Sequence, residues 1–413
     1  MRKEKVMLAT LIPLFDDKMF VCAYSVFARK ENLFLNPELM AGARFDGAGT
    51  VHELEVVSNM GVATLSGGKE VFVPVNQFSL FAEISLQCPV PADKVVLLMD
   101  NTIQPTEEYV KRVRELKEQG YKMAIRKLPI SSFEPYKEII AKCDYILLDH
   151  VKIDISKAKI YFKRQYPGIK LCAVNVDTQE QYDELVRDGG YDLYEGSFFR
   201  MPLKKSETEV SPLKVNYIEL LNVVNAPDYD LTDAADVIGK DPALVISLLE
   251  IVNRMALNSE ITSIRHAAAM LGQKELKRWI NTAVTKELCA DKPSEIIRLV
   301  MIRAKFAENL AKEFELAMQA PELFIMGLFS ALDIMLGKTM EEALQMVQVS
   351  KNVRDALLEN KGDFAGVLEF IRRYEDADWT EVSRLLVLDN INMDNVYAAY
   401  LGALRWYRDL IPA

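Results

Sequence analysis

The chain has 413 residues, half of them hydrophobic, which is enough for two packed cores. Its 50 Lys and Arg against 60 Asp and Glu give a net charge of -10, which argues against nucleic acid as the main partner. No run reaches the roughly 18 uncharged apolar residues of a membrane span, and the charged start, followed by a short apolar run broken by Pro13 and Asp16–Asp17, does not read as a signal peptide.

The first half alternates strand-like and helix-like segments. Val6–Leu14 and Phe20–Ala28 predict an early strand pair. Apolar runs follow at Val71–Val75, Val95–Met99, Met123–Ile125, Tyr145–Leu148 and Leu171–Val174, with a weaker one near Leu193. Amphipathic stretches such as Glu107–Gln119 and Gln179–Asp188 lie between them. This rhythm predicts repeated βα units around a parallel sheet. There are enough strands for a TIM-like (βα) barrel, and periodicity alone equally suits an open doubly wound sheet. Beyond Lys204 the polar stretch ending in Pro212 predicts a linker, and the signals turn helical. Asp241-Pro242 sets a cap before a proline at the first helical position. Leu244, Leu248, Leu249 and Val252 form one apolar face. Thr262 or Ser263 can cap a helix that Gly272 ends, and Thr339 with Glu342 has capping-box spacing. The expected division is a barrel over 1–203 and an all-α domain over 204–413.

Cys22, Cys88, Cys143, Cys172 and Cys289 lack CxxC spacing and predict reduced thiols in a cytoplasmic protein. The dispersed His52, His150 and His266 predict no histidine-based metal site. In a (βα) barrel, function gathers at the C-terminal strand ends. Those positions hold Asn76, Asp100, Arg126–Lys127, Asp149, Asn175 and Glu195. A metal-dependent phosphodiesterase needs converging carboxylates there. Only Asp100, Asp149 and Glu195 qualify, and Arg126 and Lys127 would repel cations. Polar strand ends that simply face water are the plainer reading of the same residues.

These residues also carry a resemblance. Asp144-Tyr-Ile-Leu-Leu-Asp149, Ala173-Val-Asn-Val-Asp-Thr178 and Tyr191-Asp-Leu-Tyr-Glu-Gly196 with Phe198-Phe-Arg-Met-Pro202 resemble, in order, segments of the EAL cyclic di-GMP phosphodiesterases. Ile12-Pro-Leu-Phe-Asp16 and Tyr24-Ser-Val-Phe-Ala-Arg29 resemble that family's opening motifs. The departures fall on its chemistry. By this resemblance Ser25 replaces the signature glutamate, Arg126 and Lys127 replace an Asp-Asp metal pair, Leu147 replaces a lysine, and Val174 replaces another glutamate. Ile12 stands for a guanine-side glutamine. Arg29, Asn76, Asp100 and Asp149 remain.

The second half resembles HDOD domains through Asp241-Pro-Ala-Leu-Val-Ile-Ser-Leu-Leu249, Asn253 and Ile261-Thr-Ser-Ile-Arg-His-Ala-Ala-Ala-Met-Leu-Gly272. Gly327-Leu-Phe-Ser-Ala-Leu-Asp-Ile334 aligns with the His-Asp motif of HD hydrolases, with Ser330 and Ala331 at that pair. Asp333 reads as a helix-surface or capping residue. The aromatic tail Tyr397–Tyr407 reads as core packing or as a partner surface, and the acidic run before Trp379 as a solvated face.

Together these features resemble EAL–HDOD signalling proteins of the YuxH type. The resemblance implies a catalytically inactive cytoplasmic adaptor in a cyclic di-GMP-related pathway such as motility or biofilm control. It would have protein partners, no cofactor, no metal and no catalytic residue, and homodimerisation is left open. The alternative is a receptor that binds cyclic di-GMP or another nucleotide without hydrolysis. Its candidate contacts would be Arg29, Asn76, Asp100, Arg126, Lys127 and Asp149.

Overall fold

The structure is a computed structural model and describes residues 7–30, 32, 34–35, 51–202, 209–255 and 261–410. Eight strands close into a barrel in chain order: β1 (Leu8–Phe15), β2 (Val21–Arg29), β3 (Glu70–Pro74), β4 (Val95–Met99), β5 (Lys122–Arg126), β6 (Tyr145–Asp149), β7 (Lys170–Val174) and β8 (Leu193–Glu195). Closure excludes the open sheet. β1 runs antiparallel to both neighbours, whereas the other adjacent pairs are parallel. The reversal follows from the tight turn after β1, where the Asp16 carboxylate accepts the Lys18 and Phe20 N–H groups, both at 2.9 Å.

Alternate residues point inward. Leu14, Ala23, Phe72, Val96, Leu98, Ala124, Tyr145, Leu147, Cys172 and Leu193 fill the interior as a packed core rather than a pore. The same period of two sends Ser25, Arg126, Asp149, Val174 and Glu195 toward the next layer, at the mouth. Gly196 lets β8 end close against the loop after β7. A Cβ there would lie 1.9 Å from the Val176 carbonyl oxygen.

A hairpin connection supplies no crossover helix, so the outer face of β1 needs another cover. β1 also pairs with β8 only at Leu14 and Phe15. The far end of the chain fills both gaps. The helix Met393–Leu410 packs on β1 and on the helix His52–Ser66, burying Val396, Tyr400 and Leu404. Tyr374 is fully buried, and its hydroxyl oxygen accepts the Ala9 N–H at 3.1 Å. Arg200, just past β8, pairs with Glu375 at 2.8 Å and with Asp376. The chain thus forms two compact units, Met1–Met201 with Glu369–Ala413, and Pro202–Leu368. The expected division at 203/204 lies outside the described residues. The expectation that the helical domain extends to 413 differs from the packing, because the tail from Glu369 groups with the barrel. Tyr397 and Tyr400 of the tail are core of that unit, whereas Trp406 and Tyr407 are half-buried, and Asp376 stays exposed while pairing with Arg200.

The second unit is helical throughout its described residues. Ser211 caps Pro212–Asn225, and Asp241 accepts the Ala243 N–H at 2.8 Å to start Pro242–Met255. Ser263 caps the next helix, and Gly272 breaks it with φ 73° before helical turns resume to Leu288. The Thr339–Glu342 capping box forms. Ser294–Leu310 and Ala320–Phe329 meet so closely that a Cβ on Gly327 would lie 2.4 Å from the Ala304 Cα.

Candidate functional site

The barrel mouth encloses a cavity of about 730 Å³. Its polar lining comes from the end of β5 and its loop (Arg126, Lys127, Ser131), from the end of β6 and its loop (Asp149, Lys152), and from Asn175 and Glu195. Three of the six predicted contacts, Arg126, Lys127 and Asp149, therefore converge. Asn76 and Asp100 do not join them. The Asn76 side-chain oxygen accepts the Phe78 and Ser79 N–H groups at 2.9 and 3.0 Å, and Asp100 accepts the Thr102 N–H at 3.0 Å and its hydroxyl at 2.6 Å. Both acceptors are turned into their own loops, where short polar side chains stabilise turns.

Each mouth carboxylate has a partner. Asp149 pairs with Lys152 Nζ at 2.7 Å and accepts the Val151 N–H at 3.2 Å. Partial burial pushes its carboxyl up, but the Lys152 ammonium and the backbone donors hold it below the usual range. Glu195 Oε2, on β8, accepts the Ser25 hydroxyl of β2 at 2.6 Å, past the intervening β1. Burial raises its pKa, and the Ser25 bond and the Arg126 charge only partly offset that.

Arg126 lies with its guanidinium carbon 5.6 Å from the Phe27 ring centroid, and among the described residues its buried Nε has no hydrogen-bond partner. Arg29 Nε is in the same condition. Arg29 does not line the cavity, but both arginines act electrostatically on Glu53. Glu53 lies in the first turn of His52–Ser66 and accepts the Ala28 N–H at 3.2 Å. β2 pairs with β3 only over Ala23–Ser25, so this carboxylate serves a strand N–H that the sheet leaves over. Burial pushes Glu53 up to about 7. Nothing in the sequence marked Glu53 or Lys152. Glu53 sits on a helix that only the fold brings near β2, whereas Lys152 follows Asp149 by three residues in the same strand-end loop.

Lys127 and Asn175, the residues directly after β5 and β7, lie in the left-handed region, with φ 61° and 63°. Such backbone is uncommon for lysine and turns the chain sharply into the cavity wall.

In the helical unit, Ser330 is buried. Its hydroxyl donates to the Gly327 carbonyl at 2.7 Å and accepts from Arg303 at 3.1 Å. Asp333, expected on a helix surface, is 2% exposed, because its short helix packs into the core. His266 is exposed. Among the described residues no group of three or more His, Cys, Asp or Glu is placed to hold a metal ion. Nor is any described helix long and apolar enough to cross a membrane.

A barrel with one reversed strand, followed by a helical unit, has counterparts among known proteins. Residues 210–366 match the HDOD domain family. It is 29% identical over 416 residues to the uncharacterized protein YuxH of Bacillus subtilis (strain 168), covering 97% of this chain and 98% of that one. It is 25% identical over 409 residues to the cyclic di-GMP phosphodiesterase CdgJ of Vibrio cholerae serotype O1, covering 96% and 91%. Among solved structures, the PaMucR phosphodiesterase in complex with c-di-GMP aligns with 48% of this chain and 92% of its own, at 14% identity and a TM-score of 0.39.

Proposed function

We propose that this protein is a catalytically inactive signalling adaptor in a cyclic di-GMP-related pathway, working through protein–protein contacts rather than turnover. The observation that carries the reading is the charge arrangement at the mouth. Two-metal phosphodiester hydrolysis needs several free carboxylates to hold the cations and to acidify a bridging water. Here Asp149 is bound to Lys152, and Glu195 is buried against Ser25 with the Arg126 charge nearby. Arg126 and Lys127 share that cavity. A divalent cation entering it would meet fixed positive charge and acids already engaged. These residues do not suit a metal pair, and no hydrolytic step is assigned to them.

The helical unit gives parallel support. A His-Asp metal motif would need ligands at Ser330 and Ala331, and a guanidinium from Arg303 contacts Ser330 instead. The pathway is inferred from CdgJ, whose name states cyclic di-GMP phosphodiesterase activity.

The test incubates the purified full chain with cyclic di-GMP and Mn²⁺ or Mg²⁺. No linear dinucleotide is expected. Product that disappears in Asp149→Asn overturns the proposal.

A further inference from the structure

We infer that Lys277, on the wall of a cavity in the helical unit, is an acylation site for small acyl phosphates, with Arg354 receiving the phosphate end. The chemistry belongs to the helical unit and holds whether or not the barrel turns over a substrate.

The cavity has a volume of about 720 Å³. Residues of the helices Pro212–Asn225, Ile264–Leu288 and Ala320–Phe329 line it, together with the connection from Met346 to Ser350. Asn222 pins that connection: its side-chain amide donates to the Met346 carbonyl at 2.9 Å, and its side-chain oxygen accepts the Gln348 N–H at 2.7 Å. The charged lining is Lys277, Glu322 and Arg354. Glu322 accepts the Ser350 hydroxyl. Arg354 Nη2 donates to the Leu344 carbonyl at 2.8 Å, and among the described residues Arg354 has no ion-pair partner. Among the same residues Lys277 Nζ has neither a hydrogen-bond nor an ion-pair partner. Arg278, one residue on, pairs with Glu308 at 2.9 Å. Two cations against one carboxylate leave the cavity wall positive.

Position makes the Lys277 amine reactive. It is half-buried, burial pushes its pKa down, and the Glu322 charge only partly offsets that. At a given pH more of it is neutral than of an exposed lysine, and the neutral amine is the nucleophile. Charge selects the donor. The positive wall gathers anions, and the Arg354 guanidinium suits phosphoryl oxygens. Ile325, Val347 and Val353 supply apolar surface for the acyl chain, in a volume typical of sites for small organic ligands. In the reaction the Nζ lone pair attacks the acyl carbon. A C–N bond forms, the bond from that carbon to the phosphate oxygen breaks, and its electron pair leaves with inorganic phosphate. The surplus proton of the amine passes to the departing phosphate or to water. The product is a neutral amide, which cancels the excess positive charge of the wall.

The test incubates the full chain with acetyl phosphate at neutral pH and follows each lysine by digestion and mass spectrometry. Lys277 should acetylate several-fold faster than Lys274 and Lys286, which lie exposed on the same helix. Inorganic phosphate should slow Lys277 on the unaltered chain and leave the other two as they were. Arg354→Gln should also slow Lys277 alone, and its melting curve by circular dichroism shows whether the unit stays folded. With N-acetoxysuccinimide, an uncharged donor, Lys277 should keep its lead and lose its sensitivity to phosphate. Acetylation of Lys277 no faster than that of Lys274 and Lys286 overturns the inference, as does equal slowing of all three by phosphate.

Discussion

Glu53 shows how much one carboxylate can depend on its surroundings. Burial lifts it from 4.5 to about 7, while the Ala28 N–H and the charges of Arg126 and Arg29 pull the other way. The folded state therefore holds the Glu53 proton more tightly than the unfolded chain does. By linkage this contribution is fully present below the unfolded value and is lost as pH rises through about 7. Urea unfolding across that window should show wild type losing stability relative to Glu53→Gln, and parallel curves would rule Glu53 out. Gly327 offers a packing test. An alanine there meets the Ala304 backbone, so Gly327→Ala should cost about 1–3 kcal/mol of overpacking strain, read from the urea midpoint. At this scale the sequence was partly legible. Arg126, Lys127 and Asp149 were found because barrel strand ends converge. Asn76 and Asp100 occupy equivalent positions, but local N–H groups captured their side chains, a competition that spacing does not reveal.

The elements were more legible, since apolar runs with a period of two and amphipathic stretches translate directly into strands and helices. Each predicted run became a strand, with ends shifted by a residue or two. What the pattern could not convey is which helix covers which strand. The aromatic spacing of Tyr397–Tyr407 marks a buried face, and its partner is a strand more than 380 residues away. The incomplete β1–β8 pairing explains why the tail belongs there. A strand edge buried without a donor's partner is costly, and Tyr374 supplies the acceptor for Ala9. Tyr374→Phe keeps the ring but removes that acceptor, so it should cost about 1–3 kcal/mol in urea unfolding. An unchanged midpoint would mean that water replaces the hydroxyl at no cost.

For the whole molecule, the arrangement is an insertion. One unit is continuous from Pro202 to Leu368, and the other is assembled from both ends of the chain. The fragment 209–368 should melt cooperatively on its own by circular dichroism. The fragment 1–202, lacking the helices that cover β1, should aggregate or melt without a sharp transition. A cooperative melt of 1–202 would show that the tail is dispensable. Family resemblance alone suggested a simple tandem, because motifs mark where domains begin more clearly than where the chain returns to an earlier one.

The Ala9–Tyr374 bond spans 365 residues of sequence. On a ribosome the first two strands emerge early and must wait until Tyr374 has been made before their seam can close. Domains usually fold in order of emergence; here the inserted helical unit is complete first, and the barrel that began before it is finished last.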